Sequence, residues 1–299
     1  MVSHTREQTG ERPVITQSTM PAGNEFLVAV HNPKVDFWLS ASIIQDGQAE
    51  DSTLSLFAEH ISARLPRLNA PLHVVDVGAN IGFITLFLAA LSPHIYVTAI
   101  EPTPFHYELI DMSLRLNPDL ADRIKLFKTA LGPAGMSADA SLCMRIHETN
   151  AASTTASDGA CPQDDPRGGV TVPVRTLDDV LAESWQMPVE VLKMDVEGYE
   201  MLVLDGAAKL MERPPEVAVV EYIPFRVMAA SGLDTSAEAF SSLSRHFPSA
   251  QWDTGIVEHR HFGLGKDAST QESLEVVRGW DEKHEGGDLV MRPRLIASS

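Results

Sequence analysis

Cysteine is nearly absent from this chain of 299 residues: Cys143 and Cys161 are the only two. So few argue against a disulfide-held scaffold, and with no C-x-x-C and no histidine at ligand spacing they argue equally against a structural zinc site. Basic residues are also scarce, 23 Lys and Arg against 41 Asp and Glu, a formal net charge of −18. Such a balance repels phosphate backbones and anionic lipid, so neither a nucleic acid nor a membrane surface is expected as a partner. Long apolar runs are missing too. The longest, Ile81 to Leu91, is too short to span a bilayer, and the first twenty residues lack the apolar core of a signal peptide. These absences predict a soluble, cytoplasmic protein.

What remains is ordinary globular material, 44% hydrophobic and 21% charged, in a chain long enough for one large domain or two modest ones. Its organising stretch is Leu72 to Gly82, LHVVDVGANIG. Leu72 to Asp76 is the apolar, β-branched run of a buried parallel strand, and Phe83 to Leu91 reads as a helix. Between them lies a turn of small residues in which glycines let the backbone approach a ligand at a helix N-terminus.

The flanks are read in the same way. Residues 1–23 are polar and rich in breakers, a loose tail. Phe26 to Val30 and Phe37 to Ile44 are β-forming runs, predicting a hairpin or edge strands, and Asp51 to Leu65 has helical spacing. Further strands are predicted at Ile95–Ile100, Ile124–Ala130, Val170–Val174, Val189–Met194 and Glu216–Val220, with possible ones at Gln251–Val257 and Asp288–Met291. Helices are predicted at Phe105–Leu116, from Leu177, through Leu210, and at Ser236–His246. Alternation of this kind points to parallel βαβ units. Residues 133–169 are rich in Ala, Ser, Thr, Asp, Gly and Pro around one apolar island, Leu142 to Ile146, and read as a loop or hairpin insertion. The resulting division is a single domain over 24–299: an N-terminal β-rich extension (24–70), a ligand-binding core (71–222) with its insertion, and a C-terminal completion (223–299).

Four predicted strands end in acids: Asp76, Glu101, Asp195 and Glu221. In open parallel sheets ligands sit at the carboxyl ends of the strands, so acids repeated there point to a site. The turn reads Gly78-x-x-x-Gly82, with Asn80 where a dinucleotide fingerprint has its second glycine. That argues against a pyrophosphate and disfavours a nicotinamide oxidoreductase. Glu101 ends the next strand, where a carboxylate accepts both hydroxyls of a ribose. A ribose without a pyrophosphate suggests S-adenosylmethionine.

With VVDVGANIGFIT, AIEPTPFHYELI, TALG, VPVRTLDDVL and VLKMDVEGYEMLVLDGA in this order, the chain resembles the FkbM family of S-adenosylmethionine-dependent methyltransferases from about Asp36 to Glu221. The resemblance implies an α/β, class I Rossmann-like fold: a mostly parallel seven-stranded sheet with one antiparallel strand and helices on both faces. It also implies transfer to oxygen. Asp76, Gly78, Asn80 and Gly82 would form the cofactor loop, with Asp76 near the methionine amino group. Glu101 would hold the ribose, and Thr129 and Ala130 would lie by the adenine, bordered also by Pro102-Thr103-Pro104. Asp195 and Glu197 would line the methyl-transfer side.

A hydroxyl acceptor must lose a proton, and Asp195 is the first candidate base, Glu197 the second. An N-cap role for Asp195 and a helix-dipole charge for Glu197 are the structural alternatives. The eleven histidines form no metal triad, so no metal is expected. The acceptor reads as a small-molecule natural product, with a sugar or glycan hydroxyl second. A binding module that keeps the fold without catalysis is the non-enzymatic alternative.

Overall fold

The computed structural model describes residues 11–19, 25–64, 70–147, 150–164, 168–246, 252–257 and 287–293. Most of the expected tail, 1–10 and 20–23, lies outside them.

The first described element is a correction. Strand β1 (Val14–Thr19) pairs antiparallel with β2 (Glu25–Val30) in a separate two-stranded sheet, where the sequence reading had placed a loose tail. A surface strand needs β-branched residues and a partner edge more than an apolar run, and Val14, Ile15 and Thr16 suffice. The other edge of β2 is satisfied by side chains of a helix: Ala29 N–H donates to Ser113 Oγ (2.9 Å) and Leu27 N–H to Asn117 Oδ1 (2.9 Å). The second expected strand is instead helix α1 (Leu39–Asp46). Asp36 overrides the local β-propensity, accepting from the N–H groups of Leu39 (3.0 Å) and Ser40 (2.9 Å), and Gly47 closes the helix at φ 73°. Helix α2 (Asp51–Arg64) follows.

The core then alternates: β3 (Leu72–Val77), α3 (Phe83–Leu91), β4 (Ile95–Ile100), α4 (Pro104–Leu116), the short α5 (Pro118–Ala121) and β5 (Ile124–Phe127). Ala130–Leu131 forms a separate short strand, β6, so the predicted strand Ile124–Ala130 is divided between two sheets. The insertion folds as a hairpin, β7 (Ser141–His147) and β8 (Asn150–Asp158), which joins β6 and β9 (Val170–Arg175) in a four-stranded sheet ordered β6-β9-β7-β8. Helix α6 (Leu177–Glu183) starts at Thr176, whose Oγ1 accepts from Asp179 N–H. Next come β10 (Val189–Met194), α7 (Glu200–Asp205), α8 (Ala208–Glu212), β11 (Val217–Tyr222), α9 (Pro224–Ser231), α10 (Ser236–His246), β12 (Trp252–Val257) and β13 (Gly287–Pro293).

The main sheet is ordered β12-β13-β11-β10-β3-β4-β5, parallel except where β13 runs antiparallel to both of its neighbours. Its central strands β3, β4, β10 and β11 are buried on both faces, and the period of two sorts alternate residues into two cores. Leu72, Val74, Val97, Val191 and Val219 pack with α1 to α4, while Val75, Val77, Leu192, Met194 and Val220 pack with α6, α7 and α10. From β3 the chain moves outward through β4 and β5, then returns to the opposite side of β3 as β10. The crevice between β3 and β10 is therefore the point at which the winding reverses, where α/β sheets bind ligands. Among the described residues no helix is long and apolar enough to cross a membrane.

The two cysteines are bridged, Cys143 on β7 to Cys161 in the connection to β9. One bridge does not make a disulfide-held scaffold; it clamps the four-stranded sheet. The bridge closes a sequence separation of 18 residues, for which loop-closure entropy is worth about 3 kcal/mol. Thiol titration of the denatured protein should count no free thiol before reductant and two after it. The unfolding free energy should fall by about that 3 kcal/mol on reduction.

Candidate active site

At the reversal point the turn after β3 presses against the segment after β10. Gly78 sits at φ +76°, and a Cβ there would lie 1.7 Å from the Asp195 carbonyl oxygen. The glycine is demanded by that backbone contact and not by a bound phosphate. Several of the turn's amides are engaged by protein: Gly78 and Ala79 N–H both donate to Ile100 O (3.0 Å) at the end of β4, and Gly82 N–H to Ala79 O (2.8 Å). Asn80, itself left-handed at φ 54°, donates its N–H to Glu101 Oε2 (2.9 Å). Gly82 leads into α3, where a Cβ would meet Ile110 of α4 at 2.9 Å.

Glu101, Asn80, Gly78, Pro102 and Asp195 border a cavity of about 80 Å³. Glu101 is 4% exposed, and its carboxylate is fixed by Asn80 N–H and by Thr103 N–H on Oε1 (2.9 Å), with His106 Nδ1 at 3.3 Å. A carboxylate so held keeps lone pairs for the two hydroxyls of a ribose, which fits an adenosyl cofactor. The far wall is the hairpin: Met144, Thr154 and Ala156.

Thr129 and Ala130 do not border this cavity. Thr129 Oγ1 donates to Pro173 O (2.9 Å), and Ala130 packs with Leu142 and Val172. The split between β5 and β6 carries Ala130 into the second sheet and turns Thr129 toward it, a turn of the chain that no local pattern announces. Asp76 is expected near a methionine amino group. It is fully buried, accepts from Thr85 Oγ1 (2.6 Å) and faces Lys193 Nζ at 3.7 Å, bordering neither cavity described here. Burial raises its carboxyl above the ordinary range, opposed by Lys193 and Thr85.

Lys193 is the residue that sequence reasoning missed. Its Nζ donates to Gly78 O (2.9 Å) and lies 3.5 Å from Asp195 Oδ2. Burial by itself would lower the ammonium, but Asp195, Asp76, Glu50 and Asp288 together raise it, so it stays charged. The signal was a lysine at a buried position of the strand VEVLKM, where a charge is tolerated only with partners.

On the other side of Lys193 opens a larger cavity of about 730 Å³. Asp195 borders both cavities. Its side chain is 34% exposed, so the ion pair with Lys193 leaves part of the carboxylate accessible. Glu221 also borders the larger cavity. Its carboxyl is pushed well above the usual range by burial, then by Asp195, Glu200 and Asp288. Glu197 borders the smaller one at φ 57°, ion-paired with Arg226. Among the described residues no group of three His, Cys, Asp or Glu side chains is arranged to hold a metal ion.

Glu200, 1% exposed, stabilises this loop by accepting from Val196 N–H (3.0 Å) and Gly198 N–H (3.2 Å). Burial raises its carboxyl from 4.5 to about 7. A carboxyl raised in the folded state contributes most below pH 4.5, and that contribution is lost as pH climbs through 7. Glu200→Gln keeps the acceptor oxygen and removes the titration. The variant's unfolding free energy should match wild type near pH 4.5 and exceed it near pH 8 by up to about 3 kcal/mol. Gly78→Ala should cost about 3 kcal/mol in chemical unfolding, because backbone must move to admit the methyl group.

The family model for the methyltransferase FkbM domain matches residues 76–241. Methyltransferase sdnD of Sordaria araneosa is 27% identical over 154 residues, covering 44% of this chain and 59% of that protein. Methyltransferase 1 of Beauveria bassiana is 30% identical over 148 residues, covering 44% and 57%. The chain thus spans less than two thirds of the length of these curated relatives. A crystal structure of a methyltransferase FkbM from Methylobacillus flagellatus KT aligns at TM-score 0.45 and 18% identity, covering 74% of this chain and 43% of that one. With its domain model matched across the switch-point turn, Glu101 and the segment after β10, this chain belongs to the methyltransferase FkbM domain family.

Proposed function

We propose that the chain is an S-adenosylmethionine-dependent O-methyltransferase acting in the cytoplasm on a hydroxyl of a small molecule. A natural product is the first choice, a sugar or glycan hydroxyl the second. The observation that carries this reading is Asp195, one carboxylate bordering two cavities: a small one that it shares with Glu101, the carboxylate placed for a ribose, and a larger one sized for an acceptor.

Glu101 would hold the ribose hydroxyls, while Met144, Thr154 and Ala156 of the hairpin exclude water from above. When bound, S-adenosylmethionine supplies an already activated methyl group on a sulfonium. The chain's task is then alignment: holding acceptor oxygen, methyl carbon and sulfur in line, which supplies several kcal/mol. Asp195 would accept the hydroxyl proton as the methyl group passes from sulfur to oxygen, the sulfur keeping the carbon–sulfur bonding pair, a contribution of about 10²–10⁴-fold. Lys193, hydrogen-bonded to Gly78 O and ion-paired with Asp195, is a positioning residue that keeps this carboxylate at the partition. Glu197, engaged by Arg226, serves the cavity edge and not the proton.

Calorimetric titration with S-adenosylhomocysteine tests the reading. Wild type should bind, NAD should not, and Glu101→Ala should weaken binding by about 10–100-fold, as expected for losing charge-assisted hydrogen bonds. Absence of binding at millimolar ligand would overturn it.

A further inference from the structure

Resting on that reading, we infer that the Cys143–Cys161 bridge is a redox-responsive clamp on the cofactor cavity, tight when oxidised and loosened when reduced. Bridge and cavity share one strand. Cys143 lies on β7 between Leu142 and Met144, and the period of two turns its side chain away from theirs. Met144 borders the smaller cavity together with Thr154 and Ala156 of β8, opposite Glu101. One face of the sheet is therefore the cavity wall, and from the other face the bridge reaches the connection between β8 and β9.

That wall is lightly built. Its buried core among the described residues is Ala130, Leu142, Met144, Val172 and Val174. Strand β8 stands at the sheet's edge, with Ala156 opposite Met144 and Ser157 opposite Cys143. The connection also meets the sheet through Cys161 N–H to Thr171 Oγ1 (2.9 Å) and Gly159 N–H to Ser141 O (2.9 Å), each weak beside a covalent link. Segments with small cores open locally before the rest of a fold, so loss of the bridge is felt first at this wall.

The bridge is also within reach. Cys143 is 1% exposed, but Cys161 is half-buried and leads into the exposed Pro162, Gln163 and Asp164. A dithiol reductant acts through its thiolate, which attacks the Cys161 sulfur. The Cys143–Cys161 bond breaks, and Cys143 leaves as a thiolate that takes up a proton. The second thiolate of the reductant then closes on its own sulfur and releases Cys161, which is protonated in turn. The protein disulfide gains two electrons and two protons, and the dithiol is oxidised to its disulfide. In the cytoplasm proposed above, a bridge that forms is usually transient or redox-sensing. A purely structural staple has no need to sit against a ligand wall with one sulfur accessible.

Calorimetric titration with S-adenosylhomocysteine, on the full chain oxidised and after dithiothreitol, tests the clamp. Native protein should release two thiols under dithiothreitol without denaturant, keep its circular dichroism, and bind S-adenosylhomocysteine several-fold more weakly. Reoxidation should restore the affinity, and Cys161→Ser should show the reduced value and ignore dithiothreitol. Equal affinity of the two forms of wild type, or a bridge that opens only in denatured protein, would overturn the proposal alone. Loss of the native spectrum on reduction would do the same, marking a staple of the whole fold. Absence of binding by the oxidised wild type at millimolar ligand would overturn the cofactor reading and this one with it.

Discussion

One buried ammonium holds the centre of this molecule. Lys193 lies on β10 with Gly78 O at 2.9 Å, Asp195 at 3.5 Å and Asp76 at 3.7 Å, so that a single charge ties together β3, the turn that follows it and the segment after β10. Such a charge is costly to bury unless every neighbour answers it, and removing it would strand Asp76 in a fully buried position. Lys193 also marks the division of labour at the site. On one side of it Glu101 and the hairpin enclose a small cavity, and on the other the acids of the larger cavity gather.

Close contact reinforces what charge begins. Gly78 can have no side chain because the Asp195 peptide occupies that space, so the turn after β3 and the carboxylate after β10 are fixed relative to one another without any ligand. This is pre-organisation: the group that must face two cavities is placed by backbone packing and not by ligand binding. The hairpin wall has a comparable anchor, since Cys143 and Cys161 bridge the residue next to Met144 to the connection before β9.

Elements with one strong period were legible in the chain alone. Phe83–Leu91, Ile95–Ile100, Val189–Met194 and Ser236–His246 follow the apolar patterns without shift. Leu39–Asp46 did not, because its β-forming residues are overruled by Asp36 at one end and Gly47 at the other. Val14–Thr19 did not, because pairing with β2 supplies what its polar composition lacks. At the site, Glu101 and Asp195 stand at cavity walls, whereas Asp76 is drawn under Lys193, Ala130 passes into the second sheet and Thr129 hydrogen-bonds to that sheet.

By itself, then, the amino-acid order determined the alternation of strand and helix, the left-handed glycine turn, and the acids that close the parallel strands, because each depends on residues within a few positions of one another. Only the tertiary structure decided which acids meet. Asp76, Asp195 and Asp288 converge on Lys193 from two strands and one loop, and Met144 reaches the smaller cavity from a hairpin in another sheet. Those meetings arise from sheet order and register, which long-range packing selects and no local spacing records.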